Sequence, residues 1–201
     1  MGYRLILASR SPRRYDLLKQ VGLDFGVIPS EVLENFVRGE SPEEHVIRLA
    51  ESKALDVGTR YPDCWVIAAD TIVYTDHSIF GKPKNRGEAT EMLRRLSGQE
   101  HWVITGFSVR HMGKEMGDCG AVKTAVRVKT LTPVEMDWYV QTEEPFDKAG
   151  GYAIQGIGSF MIESIRGSYT NVVGLPLCEL IQMLNRLRAI TISECGIRIS
   201  E

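Results

Sequence analysis

The run Trp65-Val66-Ile67-Ala68-Ala69-Asp70-Thr71-Ile72-Val73-Tyr74 constrains this chain more than any other stretch. A continuous apolar segment rich in β-branched and aromatic residues reads as a strand buried on both faces, the kind found inside α/β sheets. One carboxylate interrupts it. Burying an unpaired carboxylate costs several kcal/mol, so Asp70 has to stand at a strand end, be paired, or bind a metal. On structural grounds it can cap a turn at a bulge or strand end. On functional grounds it can be a metal ligand, a general base, or both.

The flanking pattern alternates strands and helices. Tyr3 to Ala8 is a short buried strand, followed by a helical pattern through Tyr15, Leu17, Leu18 and Val21 that Gly22 closes. Phe25 to Pro29 reads as a second strand and Glu31 to Gly39 as a polar loop. Val46, Ile47, Ala50, Ala54 and Leu55 recur at helical spacing. Beyond Tyr74, Asp76 and His77 mark a turn, and Glu88 to Ser97 is a short helix. His101 to His111 and Val122 to Lys129 read as paired strands around a turn near Gly113 and Gly117. Phe160 to Ile165 is a strand and Pro176 to Leu187 the last helix. The expectation is an α/β protein with a mixed β-sheet flanked by helices. One domain over 1–188, folded as two lobes, is followed by a peripheral tail, 189–201.

Composition narrows the partners. A hydrophobic fraction of 43% supports a full core, and a net charge of −2 argues against duplex nucleic acid as the main ligand. Leu5 to Ser9 is too short for a signal-peptide core, and no run approaches a membrane span, so a cytoplasmic protein is expected. Cys64, Cys119, Cys178 and Cys195 form no C-x-x-C pair. His45, His77, His101 and His111 lack zinc spacing.

Three helices open with Ser/Thr-Pro, and their first turns differ in charge. Ser41-Pro42-Glu43-Glu44 and Thr132-Pro133-Val134-Glu135 place a hydroxyl at the N-cap, proline at N1 and glutamate at N3, a capping box on the positive end of the helix dipole. Ser11-Pro12 continues instead with Arg13-Arg14. Two cations at a helix N-terminus are unfavourable, by about 0.3–1 kcal/mol each when exposed. They either point into water and pair with nearby acids, or face a bound anion. The position directly after an apolar strand favours the anion: the Ser9 and Ser11 hydroxyls, free helix N–H groups and two guanidinium forks make a phosphate site. Lys82, in the turn Gly81-Lys82-Pro83-Lys84, is either a second phosphate contact or a solvated loop lysine. No G-x-x-x-x-G-K-[ST] loop occurs, which disfavours P-loop chemistry.

Ser9-Arg10-Ser11-Pro12-Arg13-Arg14, Ala69-Asp70-Thr71, Gly81-Lys82-Pro83, Leu96-Ser97-Gly98, Glu144-Pro145-Phe146-Asp147-Lys148-Ala149-Gly150-Gly151-Tyr152, Ile154-Gln155-Gly156 and Val173-Gly174-Leu175-Pro176 together resemble the signature blocks of the Maf family. Those proteins are nucleoside triphosphate pyrophosphatases, sometimes described as septum formation inhibitors. The resemblance implies an elongated mixed sheet with a central cleft, as in inosine triphosphate pyrophosphatases. It also implies release of pyrophosphate and a nucleoside monophosphate with a divalent cation, magnesium or manganese. Carried over residue by residue, Asp70 is the proton acceptor, and Arg13, Thr71 and Gln155 are associated with substrate choice. Lys53, Lys82 and Glu34 match further functional positions, with Glu34 joining Asp70 on the metal. The Asp147 to Gly156 block is similar to the branch acting on dTTP and UTP. Gln155 carries a carbonyl and an NH₂ on one edge, which suits the N3–H and O4 of uracil or thymine. A homodimer is compatible with the resemblance. The competing expectation is a nucleotide-binding regulator of cell division acting through protein contacts.

Overall fold

The computed structural model describes residues 4–75 and 78–190. These form β1 (Leu5–Leu7), α1 (Pro12–Gln20), β2 (Gly26–Val27), α2 (Pro42–Arg60), β3 (Trp65–Thr75), β4 (Ser78–Phe80), α3 (Arg86–Leu96), β5 (Glu100–His111), β6 (Met116–Val128), α4 (Pro133–Gln141), β7 (Ile162–Arg166), α5 (Tyr169–Val173) and α6 (Leu177–Arg186). The strands make one mixed sheet in the order β2-β1-β3-β5-β6-β7, with β4 paired to β3. β1 runs parallel to β2 and β3, whereas β3–β4 and β6–β7 are antiparallel. The α/β expectation is met.

The chain divides into two compact units, one drawn from Met1–Asp70, Thr105–Ala121 and Gly174–Glu201, the other from Thr71–Ile104 and Val122–Val173. β3, β5 and β6 each begin in one unit and end in the other. In the first unit α2 packs through Ala54 and Val57 onto Ile6, Ala8, Val66 and Ala68 of β1, β3 and the chain just after β1. The small alanines let the helix approach the sheet closely. Gly106 of β5 also has no room for a side chain, because a Cβ there would overlap the Val46 carbonyl of α2. In the second unit α3 and α4 bury Leu93, Leu96, Met136 and Tyr139 with Val73, Val126 and Val128.

Local signals decide most helix ends. Both predicted capping boxes form, Ser41 with Glu44 and Thr132 with Glu135, and α1 has Ser11 as its N-cap and no acid in its first turn. Gly22 sits at φ +74°, and Leu23 N–H reaches back to Leu18 O (3.2 Å), which closes α1 as a Schellman motif. Four predicted elements change their bounds most. α3 starts at Arg86 because the Asn85 side chain accepts from Glu88 N–H (2.9 Å), an N-cap hidden by Arg86-Gly87. β6 begins at Met116, since ladder pairing carries the chain through its glycines. Strand β2 is only Gly26–Val27, and β7 starts at Ile162 after a 3-10 turn, Ile157–Met161. Of the expected tail, Ala189 and Ile190 are buried; 191–201, with Cys195, and the Asp76-His77 turn lie outside the described residues. Among the described residues no helix is long and apolar enough to cross a membrane.

Candidate active site

β1 pairs with β3 only as far as Leu7–Ile67, with Ala8 N–H still donating to Ile67 O (2.8 Å). There the first strand turns away into Ser9–Ser11 and α1, while β3 runs on to Asp70. Asp70 is therefore inside its strand and next to the carboxyl end of a parallel neighbour, where α/β sheets collect ligands. The strand-end explanation of this acid does not hold, and the paired one does. Lys53 Nζ donates to Asp70 Oδ1 (2.7 Å) and to Glu34 Oε1 (2.6 Å), and the Lys53 and Asp70 side chains are each 8% exposed. Glu34, on the loop before α2, is 52% exposed.

Arg14 stands beside this pair. Its Nε donates to Gly174 O (2.8 Å), and its Nη1 to Ala69 O (2.8 Å) and Ser9 Oγ (3.3 Å). Burial lowers its pKa from the usual arginine value, while Asp70 and Glu34 pull the other way and Arg13 repels it. Arg14 thus braces the Ala69 and Gly174 carbonyls as well as lending positive potential next to Asp70, a bracing role that the sequence did not disclose. Ser9 Oγ also accepts from Ser11 N–H (3.2 Å), which fixes the turn, and Ser11 Oγ accepts from Arg14 N–H (3.5 Å). Ser9, Arg14, Glu34, Lys53 and Asp70 therefore form one constellation, with Arg13 beside Arg14 in the first turn of α1.

The loop carrying Glu34 is pinned at both ends. Asp56 Oδ2 accepts from Glu31 N–H (3.0 Å). At the other end Arg48 Nε and Nη2 both donate to the Glu40 carboxylate (2.8 Å each), and Nη2 reaches Asn35 O (3.0 Å). Glu40 also meets buried His45, on whose ring Phe36 stacks with centroids 4.0 Å apart. The Arg48 fork holds the Glu40 carboxyl far below the usual glutamate range.

Thr71, Lys82 and Gln155 belong to the other unit. Lys82 is exposed in the turn after β4, whose Gly81 O accepts from Gly150 N–H (3.0 Å). Gln155 is exposed between Tyr152, buried, and Gly156, at φ +74°. Thr71 follows Asp70 in β3 and is half-buried.

Among the described residues no three or more His, Cys, Asp or Glu are grouped to hold a metal. Asp70 and Glu34 nevertheless bring two hard oxygen donors to one point, marked by the Lys53 ammonium between them. Magnesium takes only one or two protein carboxylates when phosphate oxygens and water complete its octahedron. The donor set fits a hard divalent cation such as magnesium or manganese.

The model of the Maf-like protein family matches residues 4–187. A dTTP/UTP pyrophosphatase of Syntrophus aciditrophicus is 50% identical, over 94% of this chain and 93% of that protein. One of Geobacter sulfurreducens is 46% identical, over 93% and 98%. Among solved structures, a HAM1 protein from Coxiella burnetii superposes with a TM-score of 0.50 at 13% identity, covering 90% of this chain and 98% of that one, which supports the fold alone.

Proposed function

Because this chain belongs to the Maf-like family, we propose that it hydrolyses dTTP and UTP to the nucleoside monophosphate and pyrophosphate. The observation that carries the reading is the buried Lys53–Asp70 pair set against the Ser9 to Arg14 turn. Such a pair is costly to bury, which favours chemistry over a protein acting through surface contacts alone.

In this reading Ser9, Arg13 and Arg14 bind the phosphate chain, and Lys82 adds charge to it. Asp70 accepts a proton from the water that attacks the α-phosphorus; the bond to the bridging oxygen breaks and pyrophosphate leaves with its electron pair. Lys53 holds Asp70 in place and offsets charge as the proton moves. A magnesium or manganese ion, held by Asp70 and Glu34 with phosphate oxygens, would supply charge neutralisation and a more acidic water. Thr71 and Gln155 choose the base, Gln155 by matching the donor–acceptor edge of uracil or thymine. The setting is the cytoplasm.

The test is pyrophosphate release from a panel of triphosphates, with and without metal. Asp70→Asn should fold and hydrolyse almost nothing; near-parental turnover would remove Asp70 from the mechanism. Gln155→Ala should erode the preference for UTP over CTP.

A further inference from the structure

The turn that carries Gln155 is held by two side chains that no base-reading role yet includes. Tyr139, fully buried on α4, accepts Ala153 N–H at its hydroxyl (3.1 Å) and hydrogen-bonds to Glu144 in the 3-10 turn Glu144–Asp147. Burial, with Glu144 second, pushes the Tyr139 phenol far above its usual pKa, so it stays a donor. The Glu144 carboxylate accepts from Ile157 N–H (3.1 Å) and Gly158 N–H (2.8 Å). Lys148 Nζ donates to Glu144 O (2.7 Å), and Glu144 N–H donates to Thr142 Oγ1 (3.3 Å), so Glu144 is itself tethered on both sides.

The fit leaves no slack. A Cβ on Gly156 would overlap Glu144 Oε1, and one on Gly158 would lie 2.6 Å from Ala153 O and 2.7 Å from the Tyr139 hydroxyl. Between the anchors at Ala153 and Ile157 only Ile154, Gln155 and Gly156 remain. A three-residue span tied at both ends has little backbone entropy left to lose when a ligand orders it.

We propose that Tyr139 and Glu144 are specificity-positioning residues that hold the Gln155 turn in one conformation, so that its amide is set for a pyrimidine with a protonated N3. The proposal rests on the reading of Gln155 given above. A two-bond match depends on where the amide sits; a turn free to move can satisfy CTP as well as UTP.

The experiment compares kcat and KM for UTP and CTP in Tyr139→Phe, Glu144→Gln and Gln155→Ala, with melting temperatures alongside. Tyr139→Phe keeps the ring packing and removes only the hydroxyl. Tyr139→Phe and Glu144→Gln should each reduce the UTP-over-CTP ratio of kcat/KM about tenfold, the size of one lost hydrogen bond, with the change in KM for UTP. A purely structural role would lower both nucleotides equally and leave the ratio alone. An unchanged ratio in both variants, beside a collapsed ratio in Gln155→Ala, overturns the proposal. An unchanged ratio in Gln155→Ala overturns the base-reading role itself, and the positioning role with it.

Discussion

Replacing Lys53 tests the constellation at its centre. Lys53→Met keeps an unbranched stem on the buried stripe of α2 but takes the ammonium from Asp70, 2.7 Å away, where both side chains are 8% exposed. Breaking one side of a buried ion pair costs about 3–5 kcal/mol, because the remaining charge stays buried without its partner. Arg14 lends some compensation to Asp70, so the lower end, about 3 kcal/mol, is expected. Asp70→Asn leaves the ammonium with Glu34 at 2.6 Å and an amide of the same shape, and should cost about 1–2 kcal/mol. The double variant, with neither charge, should then be no less stable than Lys53→Met. Urea unfolding followed by tryptophan fluorescence measures all three, and the cycle should show a coupling of about 2 kcal/mol. Raising the salt should change it little, since buried pairs are poorly screened. Additive single effects, agreeing within about 0.5 kcal/mol, would mean that the two side chains do not meet and that the constellation is wrong.

Three further outcomes are expected. Burial lowers the His101 pKa to about 4, with its Nε2 on the Tyr152 hydroxyl at 2.6 Å. The unfolded chain therefore binds more protons as pH falls below about 6.5. Stability should drop by about 2 kcal/mol between pH 7 and 5 from this residue, with buried His111 acting in the same direction, and His101→Gln should flatten that slope in urea titrations. Gly106→Ala would drive a Cβ into the Val46 carbonyl and to 2.7 Å from Ile47 N, all backbone. It should cost about 3 kcal/mol and lower Tm by about 6–12 °C; an unchanged Tm in calorimetry would show that β5 and α2 do not touch this closely. Arg48→Ala removes the fork on Glu40 and loosens the loop bearing Glu34. The magnesium concentration for half-maximal turnover should rise about tenfold, as when a supporting residue behind a metal ligand is lost, and an unaltered titration would separate this loop from the metal.

Where one local interaction decides an element, it could be read in advance. The capping boxes at Ser41 and Thr132 needed only four adjacent residues, and the missing box at Ser11 pointed to the cationic turn. Asp70 stood out because period and burial fixed its surroundings while its charge contradicted them. Features that depend on distant partners were not legible. β6 extends through Gly117 and Gly120 because it is paired in the sheet, and the short α5 has no periodicity long enough to show. Arg14 as a brace for Ala69 and Gly174, and Glu144 as an acceptor for Ile157 and Gly158, join residues across loops whose geometry no local pattern encodes.

Lys53 lies between these cases. Leu49, Ala50, Ala54 and Val57 form the buried stripe of α2, and Lys53 falls on that stripe. An isolated lysine there violates the helical pattern as plainly as Asp70 violates the strand pattern, and for the same electrostatic reason. Two opposite charges, each unaffordable alone in neighbouring apolar elements, satisfy one another at 2.7 Å. Apolar residues of the same volume would make a comparably stable or more stable core. Stability therefore does not account for the pair, whereas a reaction that moves a proton beside a phosphate anion requires both a fixed carboxylate and a cation to offset it. A Lys53→Met, Asp70→Leu variant that is at least as stable as Lys53→Met yet releases no pyrophosphate would separate the two demands; restored turnover in it would refute the chemical explanation.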